Sequence, residues 1–194
     1  MYLMKKAAVM NGEHLLLTPL DIDFVRRTIS LTGEITGEAA EVVCSALRCL
    51  ARDSDDDITL YLQTPGGSVA AGLYIYDTMK ALRCDVVTVA CGMAASMGAV
   101  LLAAGTKGKR WCQPNAEVLL HQPLGGTSGQ ATDIKIHAEH ILNLRARING
   151  ILAACCGRPL VEIARDTERD FILNAEDALA YGLVDKLGDP VSEW

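Results

Sequence analysis

Residues 91–99 read CGMAASMGA, a run of small side chains and methionines with one serine, Ser96. Strand-forming residues lead into this run at 86–91, and small residues that favour a helix follow it at 99–104. Small side chains let the backbone turn sharply and let other groups approach it closely. The stretch therefore predicts a buried strand that turns abruptly into a helix at Ser96.

Two interpretations of Ser96 remain open at this point. A serine between a buried strand and a helix resembles the strained nucleophile turn of serine hydrolases, with alanine at the first glycine position. The first N–H groups of the helix have no partner within it and could stabilise a negative charge. The alternative is a helix N-cap, in which the serine hydroxyl accepts a hydrogen bond from the first turn. The stretch alone favours the N-cap.

Strands and helices alternate along the rest of the chain. Strands are predicted at 27–31, 58–62, 86–91 and 118–120, and helices from Gly37 to the acidic loop at 53–57, then at 69–82, 131–156, 160–166 and 175–181. The first helix carries an apolar stripe of Ala39, Val42, Val43, Ala46, Leu47 and Leu50. Because tight hairpin turns do not interrupt this alternation, it predicts parallel strands with right-handed crossovers, in the α/β class.

The composition is typical of one globular domain. The 194 residues, 50% apolar and 22% charged, are enough to bury a full core. A net charge of -6 without a basic stripe argues against nucleic acid or an anionic membrane surface as the main partner. The seven cysteines contain no C-x-x-C pair, so neither a zinc ribbon nor a thioredoxin-type motif is supported. Most of them lie in apolar runs, and a reducing cytoplasm is the simplest compartment for them. No apolar run has the length of a membrane span or of a secretory signal.

Two further features could complete a site around Ser96. Gly66 and Gly67 lie between a predicted strand and a helix, where their N–H groups and that of Met97 could form an oxyanion hole. For a lone Pro-Gly-Gly, a plain turn that needs positive φ is the more common explanation. His121 ends a predicted strand at a glycine-rich loop, where it could act as a general base. The alternative is a core histidine bonded to a backbone carbonyl.

The acid that would orient this histidine cannot be chosen from spacing. Asp166, Asp170, Asp177 and Asp185 all follow the long predicted helix. Asp170 is attractive because it begins an apolar run at 171–173, which would place its carboxylate beside the core. The neighbouring charges at 168 and 169 could equally mark an ordinary surface cluster.

Two other clusters favour structure over chemistry. His137 and His140 flank Glu139 on the long predicted helix, but their spacing matches no common metal site, so we expect a solvated helix face and no metal. Cys155 and Cys156 end the same helix, where packing is more common than redox chemistry.

Four motifs of this sequence are similar to motifs of one known family. Residues 64–68 (TPGGS), 92–99 (GMAASMGA), 121–126 (HQPLGG) and 166–170 (DTERD) resemble the ClpP family, the proteolytic subunit of the caseinolytic protease. The likeness runs from about Arg27 to Asp185 in the same order and with similar spacing. The four motifs together are highly specific, unlike any one of them alone.

The resemblance implies a crotonase-like α/β fold and a serine endopeptidase. By motif position, Ser96 would be the nucleophile, His121 the general base and Asp170 the acid that orients it. The N–H groups of Gly67 and Met97 would hold the oxyanion. An extended substrate would pair as an added strand with the segments that contain Ser68, Val69, Leu124 and Gly125.

The resemblance also implies an assembly. Residues 1–26 would be an N-terminal arm that can form an axial loop, and residues 27–194 one peptidase domain with a handle region at about 122–156. The family stacks two seven-membered rings around enclosed active sites and receives unfolded polypeptides from a hexameric AAA+ ATPase. The sequence has no recognisable nucleotide site, so ATP would be used by that partner, and we expect no cofactor in this chain.

Two departures from the family pattern concern the partner rather than the chemistry. The first 26 or so residues do not match the family's usual start, and Thr59 and Ala81 stand where aromatic side chains often line the pocket for the ATPase's docking loop. We therefore expect a divergent paralogue, with a different ATPase or mixed with another subunit in its ring. A catalytically silent ring scaffold and, ranked lower, a crotonase-type acyl-CoA enzyme are the alternatives; the intact Ser, His and Asp count against both.

Overall fold

A computed structural model of the chain describes residues 6–10, 13–17, 23–126 and 128–190. Within the predicted N-terminal arm, strands β1 (Lys6–Met10) and β2 (Glu13–Leu17) form a two-stranded antiparallel sheet of their own. The rest of the arm up to residue 22 lies outside the described residues. Its assignment as an axial loop stays a prediction.

The main body alternates strands and helices, as predicted. Its strands are β3 (Thr28–Thr32), β4 (Ile58–Thr64), β5 (Val86–Ala95), β6 (Arg110–Cys112), β7 (Glu117–Leu120), β8 (Phe171–Leu173) and β9 (Lys186–Leu187). Its helices are α1 (Gly37–Asp53), α2 (Val69–Ala81), α3 (Met97–Ala103), α4 (Ala131–Cys156), α5 (Leu160–Asp166) and α6 (Ala175–Tyr181). The predicted ends of α4, α5 and α6 agree with the structure.

The main sheet is parallel apart from one pair of strands. Its order is β3-β4-β5-β6-β9, and β7 pairs with the far end of β5. Strand β8 pairs antiparallel to β7 and is the exception to the predicted all-parallel arrangement. Strands β6 and β9, of three and two residues, were not predicted because runs this short show no periodicity.

Strand β5 is four residues longer than predicted, because it continues past Cys91 and changes partner. Its first part pairs with β6 through Ala90, and its second part pairs with β7 from Met93. The pairing with β4 shifts register over the same stretch, where Gly92 has a φ of +65°. This irregularity redirects the strand and carries residues 93–95 to the turn at Ser96.

The apolar stripe of α1 is rotated by about one residue from its predicted position. Thr36 caps the helix by accepting a hydrogen bond from the Ala39 N–H. The buried residues of the helix are Ala40, Val43, Cys44, Leu47 and Leu50. Val42, predicted to be on the stripe, is 65% exposed, because the core contacts only one narrow side of the helix.

Arg110 is a buried cation at the centre of the main body. Its side chain is 1% exposed, and it donates to both carboxylate oxygens of Asp185, at 2.8 and 2.6 Å. Its remaining donors reach the carbonyls of Ala103 and Cys155, so it ties β6 to the ends of α3 and α4. Burial raises the pKa of Asp185, but the hydrogen bonds and charge of Arg110 outweigh it and hold that pKa below its ordinary value.

Replacing Asp185 with asparagine should lower the free energy of unfolding by about 3 kcal/mol at pH 7, because it leaves the Arg110 charge buried without its counter-ion. The depressed pKa means that the ion pair stabilises the fold above about pH 4 and that this contribution is lost as the pH falls further. The difference between wild type and variant should therefore shrink in acid. Urea unfolding at several pH values measures it.

A surface ion pair supplies the control for this prediction. Asp55 pairs with Arg83, and both side chains are more than 60% exposed. Asp55→Asn should change the free energy of unfolding by less than about 1 kcal/mol. An equal effect of the two variants at pH 7 would contradict the role given to the buried pair.

Candidate active site

Ser96 lies between β5 and α3 in a strained backbone conformation. Its φ is +56° and its ψ -120°, and among the described residues only Arg27 is another non-glycine with positive φ. The N–H of Ser96 donates to the Leu119 carbonyl at 2.8 Å, and its own carbonyl accepts from the first turn of α3. Its hydroxyl makes no capping hydrogen bond. Ser96 therefore occupies the N-cap position of α3, as the alternative interpretation predicts, but its hydroxyl does not cap the helix and is not used by the first turn.

Glycines surround this turn because no side chain would fit there. A Cβ on Gly66 would lie 2.6 Å from the Ser96 Cβ and 2.7 Å from the Ala95 carbonyl oxygen. A Cβ on Gly98 would lie 2.5 Å from a methyl of Thr64. Such contacts are far shorter than real Cβ atoms show. The small residues of the two motifs therefore let β4 and the serine turn approach each other.

Two backbone N–H groups next to the turn have no hydrogen-bond partner within the described part of the chain, those of Gly67 and Met97. Gly66 and Gly67 both have positive φ, +93° and +151°. The turn they form is fixed to Ile35, which donates to the Gly66 carbonyl and accepts from the Ser68 N–H. Gly66 and Gly67 therefore do form a turn that needs positive φ. This turn leaves the N–H of Gly67 without a partner among the described residues, so it does not exclude a role for that N–H in binding an oxyanion.

The antiparallel pairing of β7 and β8 brings His121 and Asp170 together. Leu120 pairs with Phe171 at the end of this ladder, so the next residues outward are His121 on one strand and Asp170 on the other. The His121 Nδ1 lies 3.3 Å from the Asp170 Oδ1. The His121 side chain is 20% exposed, and that of Asp170 is 69% exposed.

The other three acids considered for this role are held elsewhere. Asp185 binds Arg110, as described above. Asp166 accepts hydrogen bonds from the Tyr181 hydroxyl, at 2.9 Å, and from Arg165. Burial raises the pKa of Asp166, but these two hydrogen bonds outweigh it and hold that pKa below its ordinary value. Asp177 lies in the exposed first turn of α6. Of the four, the structure brings only Asp170 to His121.

Ser96 and His121 line one small cavity. Its other walls are apolar and include Val69, Met97, Leu120, Pro123, Ile148 and Leu152. A second, polar cleft opens on the other side of His121 and is lined by Gln122, Leu124, Glu168, Arg169 and Asp170. His121 therefore lines both an apolar cavity that contains Ser96 and a polar cleft that contains Asp170.

Two of the four residues predicted to bind substrate line these openings, Val69 the serine cavity and Leu124 the polar cleft. Ser68 caps α2 through its hydroxyl, and Val69 lines the serine cavity. Leu124 is 84% exposed, and Gly125 packs so closely on Ile141 that a Cβ would lie 2.7 Å from its methyl group. Their role in pairing with a substrate strand stays a prediction.

Three polar residues around the His–Asp pair were missed by sequence reasoning. The Gln122 amide donates to the Glu168 carbonyl at 2.9 Å. The Arg145 guanidinium donates to the Glu168 carboxylate and to the Ala164 carbonyl. No sequence signal reveals these contacts, because the partners are 19 to 46 residues apart.

The weaker candidates form no visible site. Within the described ranges, no group of three or more His, Cys, Asp or Glu side chains could hold a metal ion. His137 and His140 are exposed on α4. The cysteines are free thiols, and burial raises the pKa of Cys156 to about 11, which suits packing. In the part of the chain that the structure covers, no helix is long and apolar enough to cross a membrane.

The mixed α/β fold with a serine on its strand-to-helix turn is that of the ClpP/crotonase-like class. The family model described as Clp protease matches residues 19–190 of the chain. The chain therefore belongs to the Clp protease family, and the family and fold class predicted from the sequence are confirmed.

Proposed function

We propose that the chain is the proteolytic subunit of an ATP-dependent Clp protease, a serine endopeptidase that cuts unfolded polypeptides. One observation carries the proposal: the strained Ser96 shares a cavity with His121, whose Nδ1 lies 3.3 Å from Asp170. A nucleophile, a base and a group that orients the base are the three parts that acyl transfer by serine requires.

The acylation step follows from this arrangement. Asp170, whose Oδ1 lies 3.3 Å from the His121 Nδ1, would keep the imidazole proton on Nδ1 and so leave Nε2 as the acceptor for the Ser96 proton. The Ser96 oxygen adds to the substrate carbonyl, and the resulting tetrahedral intermediate collapses when His121 gives its proton to the leaving amine. Water then attacks the acyl-enzyme with His121 again as base, which releases the second product and restores the serine.

The N–H groups of Gly67 and Met97 would bind the oxygen of the tetrahedral intermediate. Both donors belong to backbone that is fixed before substrate arrives, Gly67 by its bridge to Ile35 and Met97 by α3. Fixed donors need no reorganisation as the negative charge develops, and each such donor is worth about 10²- to 10³-fold in rate.

The substrate would bind as an extended chain between the two loops beside the serine. The segments at 67–69 and 124–125 offer backbone groups for strand pairing, which recognises the peptide backbone rather than particular side chains.

The proposed assembly is two stacked seven-membered rings, of this chain alone or mixed with a paralogue, in the cytoplasm. Exposed apolar side chains on the handle helix α4 support contact with another copy: Ile134, Ile136 and Leu142 are 42 to 59% exposed. ATP would be consumed by a hexameric AAA+ partner, and this chain would need no cofactor.

The surface proposed to receive the ATPase carries Thr59 and Ala81 at the two positions where aromatic side chains are expected. Thr59 lies on the face of β4 opposite to the core residue Leu60 and lines a cavity of about 420 Å³ together with Thr28, Ser30 and Tyr61. Ala81 ends α2 and is exposed. The ATPase partner of this chain would then need a docking loop that fits hydroxyl groups rather than aromatic side chains. Such a difference is what we expect of a divergent paralogue.

Labelling with a fluorophosphonate probe tests the proposed chemistry. We expect the phosphonyl group to be found on Ser96 by peptide mass spectrometry, and we expect no labelling of Ser96→Ala. Ser45, on the exposed surface of α1, should stay unlabelled and serves as an internal control. The native mass of each sample must be measured at the same time, since the proposed active form is a ring.

A catalytically silent ring subunit is the second candidate. It is favoured by one observation, since no hydrogen bond joins the Ser96 hydroxyl to His121 among the described residues. Such bonds are often long without substrate and tighten on binding, which is why we rank the peptidase first. A ring of verified mass in which Ser96 is not labelled would establish the silent subunit instead.

A further inference from the structure

We propose that Arg145 of the handle helix is a positioning residue, which holds Asp170 against His121 by acting through Glu168. This inference rests on the proposed function, because it assigns Arg145 to the same site. The side chain of Arg145 touches neither Ser96, His121 nor Asp170 by any hydrogen bond within the described residues, so its effect must be indirect.

Asp170 needs support from outside its own side chain. Its carboxylate is 69% exposed, and in the part of the chain that the structure describes its single polar contact is that with His121. It lies at the end of the connection between α5 and β8. A carboxylate this exposed has little packing to fix its rotamer, so the backbone that carries it must be fixed instead.

Glu168, two residues before Asp170, is held at both its backbone and its side chain. Its carbonyl accepts from the amide of Gln122, the residue that follows His121. Its carboxylate accepts from Arg145. The segment that carries His121 and the segment that carries Asp170 are therefore joined by a second contact, the one between Gln122 and Glu168. Arg145 links this contact to α4.

Arg145 is suited to this role by its surroundings. Its side chain is only 25% exposed, so water screens the pair with Glu168 less than it screens a surface pair. The same guanidinium nitrogen also donates to the Ala164 carbonyl on α5. The Arg145 side chain thus binds both α5 and the connection from α5 to β8 that carries Asp170. An ordinary surface ion pair would bind only one of them.

Arg147 offers a matched control on the same helix. It is exposed, and no polar contact of it is found within the described residues. Arg145→Met and Arg147→Met make the same chemical change two residues apart. Only the first removes a contact to the Asp170 connection.

The test measures the rate of fluorophosphonate labelling and of short-peptide hydrolysis on rings of equal mass. Arg145→Met should lower both rates about 10-fold, with the loss mainly in kcat, because a small misplacement of a catalytic group costs on this scale. Arg145→Lys, which keeps the cation, should retain most of the rate. Arg147→Met should act like wild type. A wild-type rate for Arg145→Met would overturn the proposal.

A double-mutant cycle with Asp170→Asn separates positioning from general damage. If Arg145 acts through Asp170, Arg145→Met should cause no further loss once the carboxylate is gone. Losses that multiply in the double variant would mean that Arg145 supports the fold generally, and would also overturn the proposal.

Hydrogen exchange over residues 166–171 gives a readout that does not depend on activity. Arg145→Met should speed exchange in this segment and leave β5 unchanged. If the wild type is not labelled at all, the proposed function has failed. Faster exchange confined to 166–171 in Arg145→Met would still support the role of Arg145 in holding this segment, and unchanged exchange would refute that role.

Discussion

Asp170→Asn should slow the proposed hydrolysis of short peptides by about 10³- to 10⁴-fold without changing the native mass of the sample. The asparagine is nearly isosteric, but its amide can present an N–H to the Nδ1 of His121 and so favour the wrong imidazole tautomer. It also removes the negative charge that stabilises the imidazolium during acylation. A loss of about 10⁴-fold follows the same change in a serine protease with a Ser-His-Asp triad. The measurement is the initial rate at pH 7 with a fluorogenic peptide, on samples of verified native mass.

The other acids considered from the sequence provide the controls. Asp177→Asn changes an exposed carboxylate of α6 and should keep the rate within about twofold, as expected of a surface substitution. Asp166→Asn disturbs the bond from Tyr181, so it should cost stability more than rate. A large loss of rate in Asp177→Asn, or a wild-type rate in Asp170→Asn, would contradict the assignment of the acid.

The choice between these acids shows where sequence reasoning ended. Ser96, His121 and the glycines at 66–67 stand out because each lies where a strand gives way to a turn, and that signal is local. The acid depends on the register of β7 with β8, which sets His121 opposite Asp170. Strand β8 has three residues, and no periodicity in so short a run predicts its partner or its direction.

The helices were predictable for a different reason. The long α4 ends where predicted because Gly157 takes a left-handed conformation, with φ of +68°, immediately after the last helical residue. Arg110, by contrast, ends a run of lysines and glycines at 105–110 that is typical of a basic loop. It is buried because Asp185, 75 residues away, neutralises it, and no local pattern carries that information.

Ser96 shows both what the local sequence predicts and what it cannot predict. Its sequence neighbours favour a helix cap, and it does occupy the N-cap position of α3. The positive φ and the unused hydroxyl come from tertiary contacts, namely the hydrogen bond to Leu119 and the close approach of Gly66. Strain of this kind persists only where the surrounding structure imposes it.

Gly66→Ala should therefore destabilise the protein by about 3 kcal/mol or more and reduce peptide hydrolysis by at least about 10²-fold. Alanine at a φ of +93° costs on the order of 1–2 kcal/mol by itself. The added methyl would also lie 2.7 Å from the Ala95 carbonyl oxygen and 2.6 Å from the Ser96 Cβ, so the serine turn must move. A shift of about 1 Å in a nucleophile is enough for the loss of rate.

Gly33→Ala separates the two contributions to this effect. Gly33 has a similar φ, +78°, but a Cβ there would meet no atom within 4 Å. This variant should cost only the backbone strain, about 1 kcal/mol, and keep its hydrolysis rate. Urea unfolding and peptide hydrolysis of both variants decide the matter. Because the clash falls on the nucleophile itself, equal stability and equal rates for the two variants would mean that Gly66 does not shape the turn at Ser96.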